Sequence, residues 1–163
     1  ATRVVGIDKK ERRLAMASQI HLSSTGKTQA EFIFGNFEEM SLEDLGQFDC
    51  VICLNVVHHA MNPIRFIQRL ASIARKKLIL EIAGLEELEA RTSLGRWRYF
   101  FSIIPLQLQP PMLVYGANSG FCMSPKLVRQ ALQNDTDKQF HSIEVRPSYI
   151  SQKKTRYCVI ASR

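Results

Sequence analysis

The stretch that most constrains the fold is residues 48–63, in which a short apolar segment leads through a polar turn into a helix. Residues 50–54 are apolar and include β-branched side chains, which predicts a strand covered on both faces, as in a parallel sheet. Asn62 and Pro63 predict a helix start, because Asn is a good N-cap and Pro has no N–H group to leave unpaired in the first turn. In open α/β sheets, ligands bind beyond the carboxyl ends of the strands. We therefore expect functional side chains over residues 55–61.

Strand and helix patterns alternate along much of the chain, which predicts an α/β fold. Further strands are expected over residues 2–7, 30–34, 77–82, 140–145 and 157–161, the last two forming an antiparallel hairpin. Further helices are expected after Asp8, with Leu14 and Ile20 on the apolar face, and from Pro125. The Ser, Thr, Gly and Lys residues within residues 21–28 predict a loop there.

The alternation of strand and helix patterns is interrupted over residues 83–123, which we interpret as an insert or lid region. Pro105, Pro110 and Pro111 favour irregular chain there, and long ordered inserts are often binding loops. Residues 91–101 mix arginines with aromatic side chains. Such a mixture could stack on nucleic-acid bases, form part of a core or cover a small substrate.

The length of 163 residues fits a single domain, which would bury roughly 70% of the surface that its unfolded chain exposes. No apolar run approaches the roughly 20 residues that a helix needs to cross a bilayer, and the N-terminus does not read as a signal peptide. We therefore expect no membrane span and a cytoplasmic location.

Four cysteines are present, at positions 50, 53, 122 and 158. Cys50 and Cys53 have the spacing of half a zinc site, but two residues that lie three apart on a strand point to opposite faces. We therefore interpret them as reduced core residues and expect no metal site.

The net charge of +7 is concentrated in the C-terminal part of the chain. Residues 1–90 hold 11 Lys and Arg against 12 Asp and Glu, whereas residues 91–163 hold 11 against 3, a net charge of +8. Such a surface favours phosphate-bearing or otherwise anionic partners. A solvated surface whose counter-charges lie in other parts of the protein explains the same charges.

The segment FDCVICLNVVHHAMNP at residues 48–63 resembles the fourth-strand segment of class I S-adenosylmethionine-dependent methyltransferases. Val-Val-Gly-Ile-Asp at residues 4–8 resembles the second strand of that family, and the closing hairpin resembles the end of its sheet. The resemblance implies a Rossmann-like, mostly parallel sheet with helices on both faces and a C-terminal antiparallel hairpin. It also implies S-adenosyl-L-methionine as the cofactor and methyl transfer as the reaction.

The resemblance assigns cofactor-binding roles to four residues. In the family, an acidic residue after the second strand holds the cofactor ribose, and Asp8 matches it; a helix N-cap is the other reading of Asp8, and the two are compatible. After the third strand, the family has an acid that accepts from the adenine amino group. Asn36 replaces that acid and keeps an accepting amide oxygen, while Phe37 fits against the adenine or in the core. Asn55 is expected at the inner wall of the cofactor pocket.

His58 and His59 are the titratable side chains of the turn after the strand at residues 50–54, and one could act as general base for an oxygen or nitrogen acceptor. Adjacent histidines point in different directions, so we expect at most one to face the substrate. The other reading is a packing and capping role. Glu81 interrupts the apolar strand over residues 77–82, where it must face a pocket or pair with a cation, since burial without a partner is costly.

A Gly-rich turn after the first strand is diagnostic of the family, but the glycines of residues 1–90 are isolated. In the family this first strand lies between the second and the fourth, and leaving their edges unpaired would be costly. We therefore expect residues 1–163 to be the C-terminal part of one longer methyltransferase-like domain whose first strand lies upstream.

Two functions fit the sequence. The first is methyl transfer to an acceptor that is a small metabolite, a phosphate-bearing molecule or RNA, because the His-His-x-x-Asn-Pro form is similar to small-molecule methyltransferases and to enzymes acting on the tRNA wobble uridine. The second is a non-catalytic binding or scaffold module with a methyltransferase-like fold. Asn36 in place of an acid and the absent Gly-rich turn favour this alternative.

Overall fold

The structure is a computed structural model that describes residues 2–24, 29–85, 100, 103–116, 120–133, 140–148 and 155–163. The chain divides into two compact units, Ala1–Asp44 and Leu45–Arg163. The single domain with an insert or lid over residues 83–123 stays a prediction.

The N-terminal unit contains two parallel strands and one helix. β1 (Arg3–Asp8) pairs in parallel with β2 (Gln29–Phe34), and α1 (Glu11–Ser23) lies between them in the sequence. The register sets Asp8 opposite Phe34, so both strands end at the same level of the sheet. Both predicted strands are confirmed.

Helix α1 is longer and less buried than the sequence predicts. The loop expected over residues 21–28 is wrong for residues 21–23, because the helix closes at Ser24, whose backbone N–H and hydroxyl donate to the His21 carbonyl at 3.0 and 2.7 Å. Leu14 is buried as expected, whereas Ile20 is exposed. Within the described residues, the two-stranded sheet is too narrow to cover the whole apolar side of this 13-residue helix.

From Leu42 onward, the described chain forms a four-stranded sheet, a two-stranded sheet, three helices and two 3-10 turns. In order they are α2 (Leu42–Leu45), β3 (Phe48–Cys53), a 3-10 turn (Val57–His59), α3 (Pro63–Ile73), β4 (Ala74–Ala83), a 3-10 turn (Leu106–Leu108), β5 (Leu113–Gly116), β6 (Gly120–Met123), α4 (Pro125–Gln133), β7 (Ser142–Pro147) and β8 (Arg156–Ser162). The larger sheet has the order β3-β4-β8-β7. Its β3–β4 pair is parallel and its other two pairs are antiparallel, which confirms the predicted closing hairpin.

Strand β3 buries only one of its faces in the structure. Val51 and Cys53 are buried, whereas Cys50 is exposed and Ile52 is 61% exposed. The predicted cover on both faces is therefore wrong, and so is the core interpretation of Cys50. The cause is that apolar side chains alternate between two faces along a strand, and the described chain covers one of them.

Helices α3 and α4 begin where the sequence predicts. The side-chain oxygen of Asn62 accepts from the backbone N–H of Arg65 at 3.0 Å, and Pro63 occupies the first turn. At the start of α4, the hydroxyl oxygen of Ser124 accepts from the N–H of Leu127 at 3.4 Å. Within the part of the chain that the structure describes, no helix has the length and hydropathy of a bilayer-spanning segment.

The described part of the predicted insert contains regular structure. β5 and β6 form an antiparallel pair, so the expectation of irregular chain is wrong for these two strands. Val114 and Cys122, which face each other in that pair, are buried in a cluster with Ala83 and Leu85. Most of the arginine and aromatic mixture lies outside the described residues, since only Phe100 of residues 91–101 is described.

The β5–β6 pair packs tightly on the 3-10 turn that carries His58. Gly120 has a φ of +73°, and a Cβ at this position would lie 2.2 Å from the carbonyl oxygen of His58. Gly46 has a φ of +72°, but a Cβ there would meet no atom within 4 Å. Gly120 is therefore required both by its backbone conformation and by this contact.

Gly120→Ala is expected to destabilise the protein more than Gly46→Ala. At Gly46 the only cost is that of holding an alanine in the left-handed conformation, on the order of 1–2 kcal/mol of folding free energy. At Gly120 the new methyl group must also displace the backbone of His58, which adds about 1–3 kcal/mol. Urea unfolding of both variants measures the difference, and equal losses would contradict the close contact.

Candidate functional site

Asp8 ends β1 with both carboxylate oxygens hydrogen-bonded. Oδ1 accepts from the backbone N–H of Lys10 at 2.8 Å, and Oδ2 accepts from Nη1 of Arg13 at 3.4 Å. The N-cap position of α1 is Lys10, so Asp8 supports the helix start through the Lys10 N–H and is not itself the N-cap. Because a carboxylate has about four acceptor sites, this side chain, which is 27% exposed, retains acceptor capacity.

Asn36 follows β2 and organises the turn after it. Its Oδ1 accepts from the N–H of Glu38 at 3.2 Å, and its Nδ2 donates to Oε1 of Glu39 at 2.7 Å. The backbone carbonyl oxygen of Asn36 also accepts from the backbone N–H of Glu39 at 2.9 Å. An adenine amino group would therefore have to use the second lone pair of Oδ1. Phe37, in the same turn, is half-buried.

A backbone hydrogen bond brings the ends of β1 and β2 together. The N–H of Gly35 donates to the carbonyl oxygen of Asp8 at 3.2 Å. Asp8 and Asn36 thus follow neighbouring strands at the same edge of the small sheet, as the sequence predicts for the carboxyl ends of parallel strands.

Asn55 follows β3 in an uncommon backbone conformation. Among the described residues, it is the one non-glycine residue with a positive φ, at +59°. Asn adopts this left-handed conformation more readily than most residues. Its side-chain oxygen accepts from Nη1 of Arg156, at the start of β8, and the residue is exposed. Asn55, the predicted pocket-wall residue, is therefore hydrogen-bonded to Arg156, which the sequence did not indicate as a functional residue.

Glu81 is buried in β4, where it is 2% exposed. The hydroxyl of Ser148 donates to its Oε1 at 2.6 Å, and Nη1 of Arg156 lies 3.8 Å from its Oε2. Of the two readings of Glu81, pairing with a cation is thus the one observed. Sequence reasoning missed Arg156 and Ser148 because both lie in the stretch between the predicted hairpin strands. The signal available was the acid itself, because a buried carboxylate requires a partner.

His58 and His59 are held in different environments. His58 is 3% exposed and its carbonyl oxygen lies against Gly120, whereas His59 is exposed. The two rings are tilted at 47° with their centroids 4.0 Å apart. The backbone N–H of His59 donates to the carbonyl oxygen of Val56 at 2.8 Å, which closes the 3-10 turn. His58 is therefore buried in the protein, and His59 is accessible to solvent.

The cysteines show no sign of a shared site. All four are free, and burial raises the pKa of the Cys53 thiol to about 12 against a smaller lowering by the N–H of Val57. A thiol with such a pKa is a poor nucleophile near neutral pH. Within the described ranges, no group of three or more His, Cys, Asp or Glu side chains is arranged to hold a metal ion.

The predicted site residues fall into two groups. The N-terminal unit holds Asp8, Asn36 and Phe37, and the C-terminal unit holds Asn55, His58 and His59. In each group the side chains follow the carboxyl end of a parallel strand. Their cofactor-binding and catalytic roles stay predictions.

Comparison with known proteins finds similarity to methyltransferases. Residues 1–80 match a family model described as a methyltransferase domain. The ubiquinone biosynthesis O-methyltransferase of Leptothrix cholodnii is 27% identical over 119 residues, which cover 64% of this chain and 50% of that protein. The protein of the same name from Aromatoleum aromaticum is 24% identical over 155 residues, which cover 84% of this chain and 65% of that protein. The chain thus spans about half the length of the first relative and less than two thirds of the second.

Solved structures share the fold. The magnesium protoporphyrin IX methyltransferase of Synechocystis, with bound S-adenosylhomocysteine, has a TM-score of 0.60 at 20% identity over 98% of this chain and 63% of that chain. An S-adenosylmethionine-dependent methyltransferase from Mesorhizobium loti has a TM-score of 0.61 at 12% identity over all of this chain and 81% of that chain. Residues 1–80 therefore resemble a methyltransferase domain, and the chain has the Rossmann-like α/β fold of these methyltransferases.

Proposed function

We propose that the protein containing this chain transfers a methyl group from S-adenosyl-L-methionine to an oxygen atom of a small molecule. The observation that carries the proposal is the placement of Asp8 at the end of β1 in a methyltransferase fold. The methyltransferase-domain match over residues 1–80 includes that strand and β3, and similar structures contain the cofactor or its product.

The residues present fit the cofactor. Vicinal ribose hydroxyls require acceptors, and the Asp8 carboxylate keeps acceptor sites beyond its bonds to Lys10 and Arg13. The adenine amino group requires an acceptor as well, for which Asn36 offers one remaining lone pair, and Phe37 beside it offers an apolar ring. When bound, the cofactor supplies an already activated methyl group, so the protein mainly has to align the acceptor and remove its proton.

We assign the proton transfer to His59. It is exposed in the turn after β3, at the edge of the sheet where ligands bind in open α/β folds. A neutral imidazole nitrogen can accept the proton of a hydroxyl acceptor, which suits a general base. His58 is buried, which agrees with the prediction that at most one of the two histidines faces the substrate.

The names of the relatives favour a small-molecule acceptor, since both are O-methyltransferases of ubiquinone biosynthesis. RNA is the alternative acceptor, and the +8 charge of residues 91–163 is the observation in its favour.

We also propose that further strands pair with the open edges of the two sheets that contain β1 and β3. Among the described residues, no strand pairs with β1 on the side away from β2, or with β3 on the side away from β4. Ile52 on β3 and Val4 on β1 are exposed apolar side chains near those edges. Unpaired apolar edges are costly and promote association. In the family the first strand would fill this role.

Residues 1–163 expressed alone are expected to unfold without a sharp transition or to associate through these edges. Differential scanning calorimetry and light scattering measure both properties. A cooperative unfolding transition from a monomer would contradict the proposal, because a chain with unpaired central strands lacks the burial that gives cooperativity.

Asp8→Ala in the full-length protein is expected to weaken binding of S-adenosylhomocysteine, measured by isothermal titration calorimetry. Each lost hydrogen bond to a charged group costs about 1.5–3 kcal/mol, or roughly 10-fold to 100-fold in Kd. Glu31→Ala is the matched control, because Glu31 pairs with Arg3 near the other end of the same sheet, at 2.8 Å. Equal affinity of the Asp8 variant and the wild type would remove Asp8 from the site. No binding by the wild type would favour a scaffold function instead.

His59→Ala is expected to lower kcat by a factor on the order of 100 or more, since a positioned general base contributes about that much. Transfer of labelled methyl groups to the small-molecule and RNA fractions of a cell extract identifies the acceptor class for this assay. His58→Ala is expected to lower Tm because it removes a buried side chain. Unchanged turnover in both variants would eliminate histidine as the base.

A further inference from the structure

The hydrogen bond between Arg156 and Asn55 determines which end of the Asn55 amide remains for another partner. A guanidinium group has five N–H donors and no acceptor, so it can bond only to the oxygen of an amide. Arg156 Nη1 donates to Asn55 Oδ1, which leaves Nδ2 as the other end of an exposed side chain. Asn55 therefore presents N–H donors at the carboxyl end of β3.

We propose that Asn55 is an orientation-locked hydrogen-bond donor to an oxygen atom of the ligand, and that Arg156 and Glu81 are positioning residues that hold it in this orientation. The proposal rests on the proposed function, because that function puts a ligand beyond the end of β3. The ligand oxygen is a carboxylate, carbonyl or hydroxyl oxygen. It belongs either to the cofactor or to the methyl acceptor.

The fixed orientation of the Asn55 amide depends on the buried carboxylate of Glu81, which pairs with Arg156. The Arg156 side chain is 11% exposed, and its Nη1 lies 3.8 Å from Oε2 of Glu81. Glu81 in turn accepts from Ser148 at 2.6 Å and lies inside β4, so the pair is fixed by the sheet. The terminal torsion of an Asn side chain is intrinsically broad, and an amide without such a partner would adopt both orientations.

The backbone at Asn55 supports a ligand-binding role. A non-glycine residue with positive φ is uncommon, and such conformations cluster at ligand-binding and catalytic positions. Glycine would adopt the same φ without strain but would offer no side chain. The left-handed backbone conformation and the bond to Arg156 together fix the position and the orientation of the amide group.

Three variants of the full-length protein separate ligand binding from a purely structural role. Asn55→Asp keeps an oxygen toward Arg156 and replaces the donor by an acceptor, whereas Asn55→Gly removes the side chain; both tolerate the left-handed conformation. The double variant Arg156→Gln with Glu81→Gln removes both charges together, so no buried charge is left alone. Its new amide at position 156 both donates and accepts, so it no longer selects one orientation of Asn55.

The measurements are the Kd of S-adenosylhomocysteine by calorimetry, the KM of the acceptor found by labelled methyl transfer, and Tm. Asn55→Asp is expected to raise one of the first two by about 10-fold and to leave Tm at or above the wild-type value, because a carboxylate strengthens the bond to Arg156. A rise in Kd assigns the oxygen to the cofactor, and a rise in KM at unchanged Kd assigns it to the acceptor.

The double variant tests the positioning role. In an otherwise wild-type protein, it is expected to raise about 3-fold the constant, Kd or KM, that Asn55→Asp raises. Added to Asn55→Gly, it is expected to cause no further change in that constant, because the effects of residues that act through one another are not additive. The matched control is Arg146→Gln with Glu144→Gln, an exposed pair on β7 at 2.6 Å, which should have no effect.

The proposal is overturned if folded Asn55→Asp has the Kd and the KM of the wild type, or if the double variant is as harmful with Asn55→Gly as without it. These results leave the proposed function standing, since the wild type still binds S-adenosylhomocysteine. Absence of binding by the wild type overturns the proposed function and this inference together.

Discussion

Burial of β4 is the constraint on which the C-terminal unit depends. This strand lies between β3 and β8, and its apolar side chains form the centre of the core. Glu81 lies among them at 2% exposure, so its carboxylate needs partners within the protein. Arg156 and Ser148 provide them from the region of the closing hairpin. Because Arg156 also reaches Asn55, the need to satisfy one buried acid shapes the exposed turn after β3.

The parallel pairing of β1 with β2 and of β3 with β4 determines where the polar side chains that follow these strands lie. The carboxyl ends of paired parallel strands lie at one edge of a sheet, so the residues that follow them become neighbours without being close in sequence. In the N-terminal unit this places Asp8 beside the turn of Asn36. In the C-terminal unit it places Asn55 and the accessible His59 after β3. The proposed function uses the acceptors after β1 and β2 for the cofactor and the exposed imidazole after β3 as the base.

Local signals were sufficient for much of the fold. The start of α3 depends on Asn62 and Pro63 alone, and the closing hairpin on two runs of β-forming residues, so both could be predicted. Burial could not be predicted in the same way, because the exposure of Ile52 depends on which elements cover β3. The ion pair of Arg156 with Glu81 and its hydrogen bond to Asn55 join residues far apart in the sequence, so no local pattern indicates them. The acid at Glu81 indicated only that a cation had to be near.

The central claim is that the end of β1 binds the ribose of S-adenosylmethionine. A crystal structure of the full-length protein with S-adenosylhomocysteine tests it most directly. The account predicts that both ribose hydroxyls lie within hydrogen-bond distance of the Asp8 carboxylate, at roughly 2.5–3.0 Å. A bound ligand whose ribose is held elsewhere, with Asp8 bonded only to Lys10 and Arg13, would contradict it.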